Sequence, residues 1–200
     1  MAFASYVDLQ ASVQAWLARS DALVINRIPD FIRLGEERIG RKLRVSGMVQ
    51  ITTLTIVAGQ NWVALPTDWL AFERIDSATR SRIEYMSPDA LADLPKSGDD
   101  SKYSIEGGRL LYGVTPIADT VLNVRYYQRP PFLASASSTW LLTASPSLYL
   151  YAALAEASLF LKSPDEASRW GQMFEKTLAE MKGADEGAMI SGSRLRMRPR

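Results

Sequence analysis

A chain of 200 residues without a histidine or a cysteine has few ways to do chemistry. No side chain has an ordinary pKa near neutrality, so a Ser-His-Asp triad and histidine-bound zinc are excluded, as are thiolate nucleophiles and disulfides. Carboxylate chemistry and charge remain. Asp99-Asp100 are adjacent acids in a polar loop, and paired carboxylates can hold Mg²⁺ or act as acid and base. Neighbouring acids in a Gly/Ser-rich loop are ordinarily just solvated. Glu36-Glu37 lie in a helical segment, where adjacent positions point ~100° apart and cannot share a face. Glu37 is spaced to pair with Arg33 or Arg41. No glycine-rich phosphate loop, dinucleotide fingerprint or serine-elbow motif occurs. Gly107-Gly108 is explained by a tight turn. The residues therefore indicate no catalytic group, no metal and no cofactor. The five tryptophans, Trp16, Trp62, Trp69, Trp140 and Trp170, read as core or interface anchors.

Two basic clusters remain. Arg38, Arg41, Lys42 and Arg44 crowd the C-terminal end of one predicted helix, where the helix dipole favours cations by ~0.3–1 kcal/mol each. The second cluster is terminal: four of the last seven residues, Arg194-Leu195-Arg196-Met197-Arg198-Pro199-Arg200, are arginines, although the whole chain carries only +1. In an extended strand the arginines would line one side and Leu195 and Met197 the other. That pattern suits insertion into a groove on another protein. It suits phosphate neutralisation equally, and a merely solvated tail.

The elements that position these residues follow from hydrophobic periodicity. Tyr6, Leu9, Val13, Trp16 and Leu17 mark a first helix, capped by Ser5 with Asp8 three residues on. Asp21 starts a short turn. A second helix begins near Pro29, with Ile28, Phe31, Ile32, Gly35, Ile39 and Leu43 on one face. Gly35 costs about 1 kcal/mol relative to Ala inside a helix, which implies close approach of another helix. From Met48 the period changes to that of strands. Gln50–Val57 and Trp62–Leu65 read as a hairpin. Ala71–Asp76, Arg82–Met86, Tyr103–Glu106, Arg109–Tyr112 and Thr120–Gln128 are further strands, with a short helix at Pro88–Leu94. Helical period returns after Pro130-Pro131. Pro146 to about Lys162 is apolar on most sides; Pro164 to about Lys182 has one face of Ala167, Trp170, Phe174, Leu178 and Met181. Ser145 and Ser163 stand at their N-cap positions.

The expected architecture is α+β. Residues 1–46 and 132–182 supply a four-helix bundle, and residues 47–131 form an inserted antiparallel β-sandwich or barrel-like domain. Residues 183–200 are expected to form an extended basic tail. No run is long and apolar enough to cross a membrane, and the N-terminus has no signal-peptide pattern.

The segment Phe31-Ile32-Arg33-Leu34-Gly35-Glu36-Glu37-Arg38-Ile39-Gly40-Arg41-Lys42-Leu43-Arg44 resembles a helix of the phage head-to-tail adaptor family, of the tail tubular protein A type. Other pieces match in the same order. They are Tyr6-x-x-Leu9, Trp16-Leu17-x-Arg19-x-Asp21, Leu65-Pro66-x-Asp68-Trp69, Tyr103 before Gly107-Gly108, Val124-Arg125-Tyr126-Tyr127, Trp140-Leu141-Leu142 and Pro146-x-Leu148-Tyr149-Leu150-Tyr151 with Leu154-x-Glu156-Ala157. The similarity covers about residues 3–182. Gly35 stands where the family usually has Ala, and the tail matches no family motif.

The resemblance implies a non-enzymatic structural protein of the virion neck, assembled in the host cytoplasm, with no membrane partner. It implies a ring of about twelve wedge-shaped subunits between the portal protein and the tail nozzle protein, with phage DNA passing non-specifically through the lumen. In that setting Arg194, Leu195, Arg196, Met197, Arg198 and Arg200 are the expected portal-docking residues. Arg38, Arg41, Lys42 and Arg44 are the expected intersubunit or channel-facing ones. The competing readings are a nucleic-acid-binding accessory protein that uses the arginine tail and a metal-assisted hydrolase that uses only Asp and Glu.

Overall fold

The computed structural model describes residues 5–190 apart from 79, 81, 96 and 97. Two compact units are present, one built from the chain up to Ser46 and from Pro130 onward, the other from Gly47–Arg129. The architecture is α+β, as the sequence predicts.

In the helical unit, helix α1 (Tyr6–Leu17) starts at Ser5, whose Oγ accepts the Asp8 N–H at 3.3 Å. Leu9 and Val13, one turn apart, are buried, whereas Trp16 stays half exposed beside Trp170. A single turn, α2 (Ala22–Ile25), is capped by Asp21, which accepts the Val24 N–H at 3.1 Å. Helix α3 (Ile28–Lys42) has no side-chain cap; Pro29 in its first turn lacks the N–H that would need one. Its predicted face, Ile28, Phe31, Ile32, Gly35 and Ile39, is buried, followed by Leu43.

That face packs on α7 (Pro146–Phe160), where Ala152, Ala153 and Leu154 are buried. At Gly35 the two backbones come so close that a Cβ would lie 3.0 Å from the Ala152 Cβ and 3.3 Å from the Ala153 nitrogen. The glycine is there because the crossing leaves no room for a side chain. Helix α7 is buried on most sides through Ser158, but Leu159 and Phe160 emerge into solvent, a narrower burial than the sequence predicts. Ser145 occupies the N-cap position yet makes no capping hydrogen bond.

Helix α8 (Pro164–Ile190) buries Phe174 and Leu178 against α7. It corrects the sequence reading at one place: residues 183–190, expected to be extended, continue the helix. Gly183 and Gly187 each disfavour helix by about 1 kcal/mol. Lengthening an existing helix carries no nucleation cost, and Ala184, Ala188 and Met189 are good helix formers. The Asp185 carboxylate also fixes this stretch, accepting the Ser46 N–H at 2.8 Å and the Ser46 hydroxyl.

Two short helices lie between, α5 (Leu133–Ala136) and α6 (Trp140–Ala144). Phe132, at the N-cap of α5, has no side-chain acceptor. Helix α3 supplies one: Glu36 Oε1 accepts the Leu133 N–H at 2.7 Å, and the Arg33 guanidinium sits 3.1 Å above the Phe132 ring. Burial raises the Glu36 carboxyl above its ordinary 4.5, against the opposing pull of the Leu133 N–H and Arg33. Nearby, Thr139 Oγ1 accepts the Leu142 N–H at 3.2 Å and meets the Tyr149 hydroxyl at 3.3 Å. Burial pushes the Tyr149 phenol up to about 12.

The β unit holds β1 (Val49–Ile56), β2 (Trp62–Ala64), β3 (Trp69–Ser77), β4 (Glu84–Tyr85), β5 (Lys102–Glu106), β6 (Arg109–Tyr112) and β7 (Thr120–Gln128). The order is β1-β7-β3 in one sheet and β2-β6-β5-β4 in the other. A further short helix, α4 by position (Pro88–Ala92), follows β4. Pairing is antiparallel except between β4 and β5. The β5–β6 hairpin turns on Gly107 and Gly108, both at positive φ, as a two-residue turn requires. The predicted β1–β2 hairpin is absent. Those strands join different sheets, because β7, with Leu122, Val124 and Tyr126 on its inner face, is the long apolar partner that β1 needs. Both sheets feed one core of Ile56, Ile75, Ile83, Leu110, Tyr112, Leu122, Val124 and Tyr126, and no closed barrel forms.

Gly35→Leu forces a side chain into the α3–α7 crossing and is expected to destabilise the helical unit by about 2 kcal/mol, read as a fall in its thermal midpoint. Glu36→Ala leaves the Leu133 N–H without a partner, an expected loss of about 1–3 kcal/mol. Glu36→Gln keeps an oxygen acceptor and isolates the titration. A carboxyl whose folded pKa is raised stabilises most below its unfolded value, and that contribution is lost as pH rises through the folded value. The stability of Glu36→Gln relative to wild type should therefore rise between the ordinary carboxylate range and neutrality, measured by urea unfolding at each pH.

Candidate functional site

Helix α3 carries the first predicted site residues, and the structure separates them. Arg38 and Lys42 lie one turn apart on the face toward α8. Arg38 reaches Glu156 of α7 at 3.7 Å and Glu175 of α8 at 3.5 Å, with its guanidinium 4.8 Å from the Phe174 ring centre. Lys42 pairs with the same Glu175. The Lys42 ammonium, by its hydrogen bond, holds the Glu175 carboxyl below its usual range. Arg44 Nη1 donates to the Gly40 carbonyl at 2.8 Å and to that of Leu43, which caps the helix C-terminus. Arg41 is exposed and makes no ion pair or hydrogen bond among the described residues. Glu37, spaced for either arginine, bonds to Arg33 at 3.3 Å.

Three of the four cations thus have partners within the bundle. Their acidic partners are Glu156, which the sequence marks only within the resemblance motif, and Glu175, which it does not mark. The signal available was the i, i+4 spacing of Arg38 and Lys42, which places both on one face and lets one carboxylate serve both. The terminal residues Arg194, Leu195, Arg196, Met197, Arg198 and Arg200 lie outside the described residues.

The adjacent acids of the β unit are absorbed locally. Asp99 accepts the Ser101 N–H at 2.8 Å and the Ser101 hydroxyl at 2.6 Å, bonds that lower its pKa. Asp100 pairs with Arg80 at 3.0 Å. Their carboxylates hydrogen-bond to different partners. No group of three or more acidic side chains that could hold a metal occurs among the described residues.

Two surface grooves open on the β unit. One, of about 300 Å³, runs between Pro88, Leu91, Leu94 and Leu111, with Glu106 among its lining residues. The other, of about 600 Å³, is lined by Val114, Pro116, Ile117 and Val121, with Asp100 and Asp119 at its edge. Asp119 accepts the Ala58 N–H at 2.9 Å, so both edge carboxylates are engaged by the fold.

None of the five tryptophans is fully buried. Trp16 packs edge-on to Trp170 with ring centres 5.5 Å apart, and Trp170 stacks on Tyr151 at 5.9 Å. Trp62 lies 4.1 Å beneath the Arg109 guanidinium. Trp140 is partly exposed, less so than Trp16. No helix among the described residues is long and apolar enough to cross a membrane.

The chemistry on display is ion pairing and aromatic packing, which suits a protein that holds others in place. A family model described as SU10 adaptor protein matches residues 4–198, taking in both units. No curated protein matches the chain. The chain belongs to the SU10 adaptor protein family and is a structural adaptor of the bacteriophage virion, as its resemblance to head-to-tail adaptors implies.

Proposed function

We propose that the protein is the head-to-tail adaptor of a short-tailed phage. About twelve copies form a ring between the portal protein and the tail nozzle protein, and the DNA passes through its lumen. The observation that carries this reading is the family match over residues 4–198, which spans the bundle, the β unit and the basic terminus together. A ring of identical wedges needs heterologous contacts that close by rotation, and it needs no catalytic residue. Many copies docking at once multiply a weak individual contact, so a short terminal segment suffices for attachment.

The docking segment is Arg194, Leu195, Arg196, Met197, Arg198 and Arg200. Its alternation of cation and apolar side chain fits an extended groove with acidic walls on the portal. Among the α3 cations, Arg41 is the one open to a neighbouring subunit or to the lumen, since Arg38, Lys42 and Arg44 already have partners. Such a ring acts in the virion neck and assembles in the host cytoplasm.

Truncation after Ile190 removes the docking segment and leaves α8 and the Asp185–Ser46 bonds intact. The truncated chain should keep the wild-type circular dichroism and melting curve, yet fail to co-sediment with the portal of its phage. Unimpaired co-sedimentation would refute the docking assignment. A single terminal tail contacting phosphates would instead show itself as DNA binding that weakens steeply with salt and disappears on the same truncation.

A further inference from the structure

Each sheet of the β unit has two outer strands, and three of the four are blunted. β2 is three residues long and β4 two. β3 has two breaks in its register, and its Ser77 N–H and Ile75 carbonyl are taken by the Arg80 carbonyl and the Ile83 N–H, at 2.8 and 2.9 Å. Short length, irregularity and cover are the usual ways of protecting an edge from pairing with another chain.

β1 has none of them. Its eight residues, Val49-Gln50-Ile51-Thr52-Thr53-Leu54-Thr55-Ile56, pair with β7 in unbroken register. They include no charge, proline or glycine. No other strand pairs with β1 among the described residues. Gln50, Ile51, Thr52 and Thr53 are exposed in succession, so this half of the strand is open on both faces of the sheet. An antiparallel outer strand uses the backbone groups of alternate residues on its partner and leaves the others facing outward.

We propose that β1 is a strand-addition site, occupied in the free protein by β1 of a second copy. The strand's composition favours this occupant. Around a two-fold axis every charge near the centre meets its own kind, and like charges directly opposite one another are destabilising. A strand neutral along its whole length escapes that cost. With the axis through Thr53, perpendicular to the sheet, Thr53 lies opposite its counterpart, Ile51 opposite Thr55, and Thr52 opposite Leu54. Val121 is the β7 neighbour of Thr55 in the register. Ile51, 71 % exposed, then comes opposite the Thr55 of the other copy, with that copy's Val121, itself 44 % exposed, one strand further on the same face. The two three-stranded sheets become one continuous sheet. The pair is closed, so it covers the edge without propagating into a fibre. This state belongs to the free chain and is independent of the ring proposed above.

Sedimentation velocity on the full-length chain, up to about 100 μM, tests the pairing. Wild type should sediment at twice the chain mass. Thr53→Lys sets two ammonium groups face to face and should weaken association by up to about fivefold, whereas Thr53→Val should not weaken it. Both should keep the wild-type circular dichroism, because the residue 53 side chain is exposed. The chain has no cysteine, so Thr53→Cys gives a second readout: mild oxidation should produce a disulfide-linked dimer, and Asn123→Cys on the neighbouring strand should not. A wild-type monomer throughout the range overturns the proposal. So does a dimer or larger assembly that Thr53→Lys leaves intact, or a Thr53→Cys variant that stays uncrosslinked. Attachment to the portal is a separate measurement, so failure here leaves the adaptor reading standing and the reverse also holds.

Discussion

Most of the helical unit depends on how closely α3 approaches α7. The absence of a side chain at Gly35, against Ala152 and Ala153, sets that distance. Ridges of small residues let two backbones come within side-chain length of each other, and every neighbour of the contact point inherits the geometry. Glu36, one position on, then reaches the first turn of α5, and Arg33 covers Phe132. Arg38 and Lys42, one and two turns further, reach Glu156 and Glu175. A wider crossing would withdraw all of these groups together. The glycine thus fixes a set of polar contacts that individually are worth little at a half-exposed surface.

The two units solve the burial problem differently. The bundle buries a face of each helix and leaves the far end of α8, from Ala179, almost bare. The β unit gathers one apolar side from each sheet into a shared core, with β7 as the central strand of its sheet. Pairing β1 with β7 across some seventy residues is costly in loop closure, but that cost grows only slowly with loop length. The inner-face side chains Leu122, Val124 and Tyr126 more than offset it.

Local signals in the sequence are reliable at most places where the answer is local, the Ser145 cap being an exception. The Ser5 cap, the Asp21 turn, the α3 stripe and the Gly107-Gly108 hairpin all appear as their residues predict, and Gly35 correctly announced a close neighbour. Failures came where a distant partner decided. β1 and β2 look like a hairpin because Gly59 lies between them, yet strand pairing is settled by β7, whose residues lie 64 to 78 positions further along the chain. Residues 183–190 look broken by two glycines, but the helix already formed before them carries through, with Asp185 bound to Ser46. The same limit applied at the basic cluster. Spacing located the cations of α3, while the carboxylates that occupy them come from α7 and α8 and carry no local mark.

That occupancy bears on how an adaptor can use charge. A cation engaged in folding is a poor docking group, since recruiting it exposes the partner it leaves behind. Arg38 shows the difficulty. Releasing it would strand Glu156, which like Arg38 is only about a quarter exposed, and would take a guanidinium off the Phe174 ring. Breaking one side of a half-buried pair costs more than the pair contributes when intact. Arg41 faces no such penalty, because no ion pair or hydrogen bond holds it among the described residues. A protein whose net charge is only +1 can therefore still offer a strongly cationic contact, provided its folding charges and its binding charges are kept on different residues.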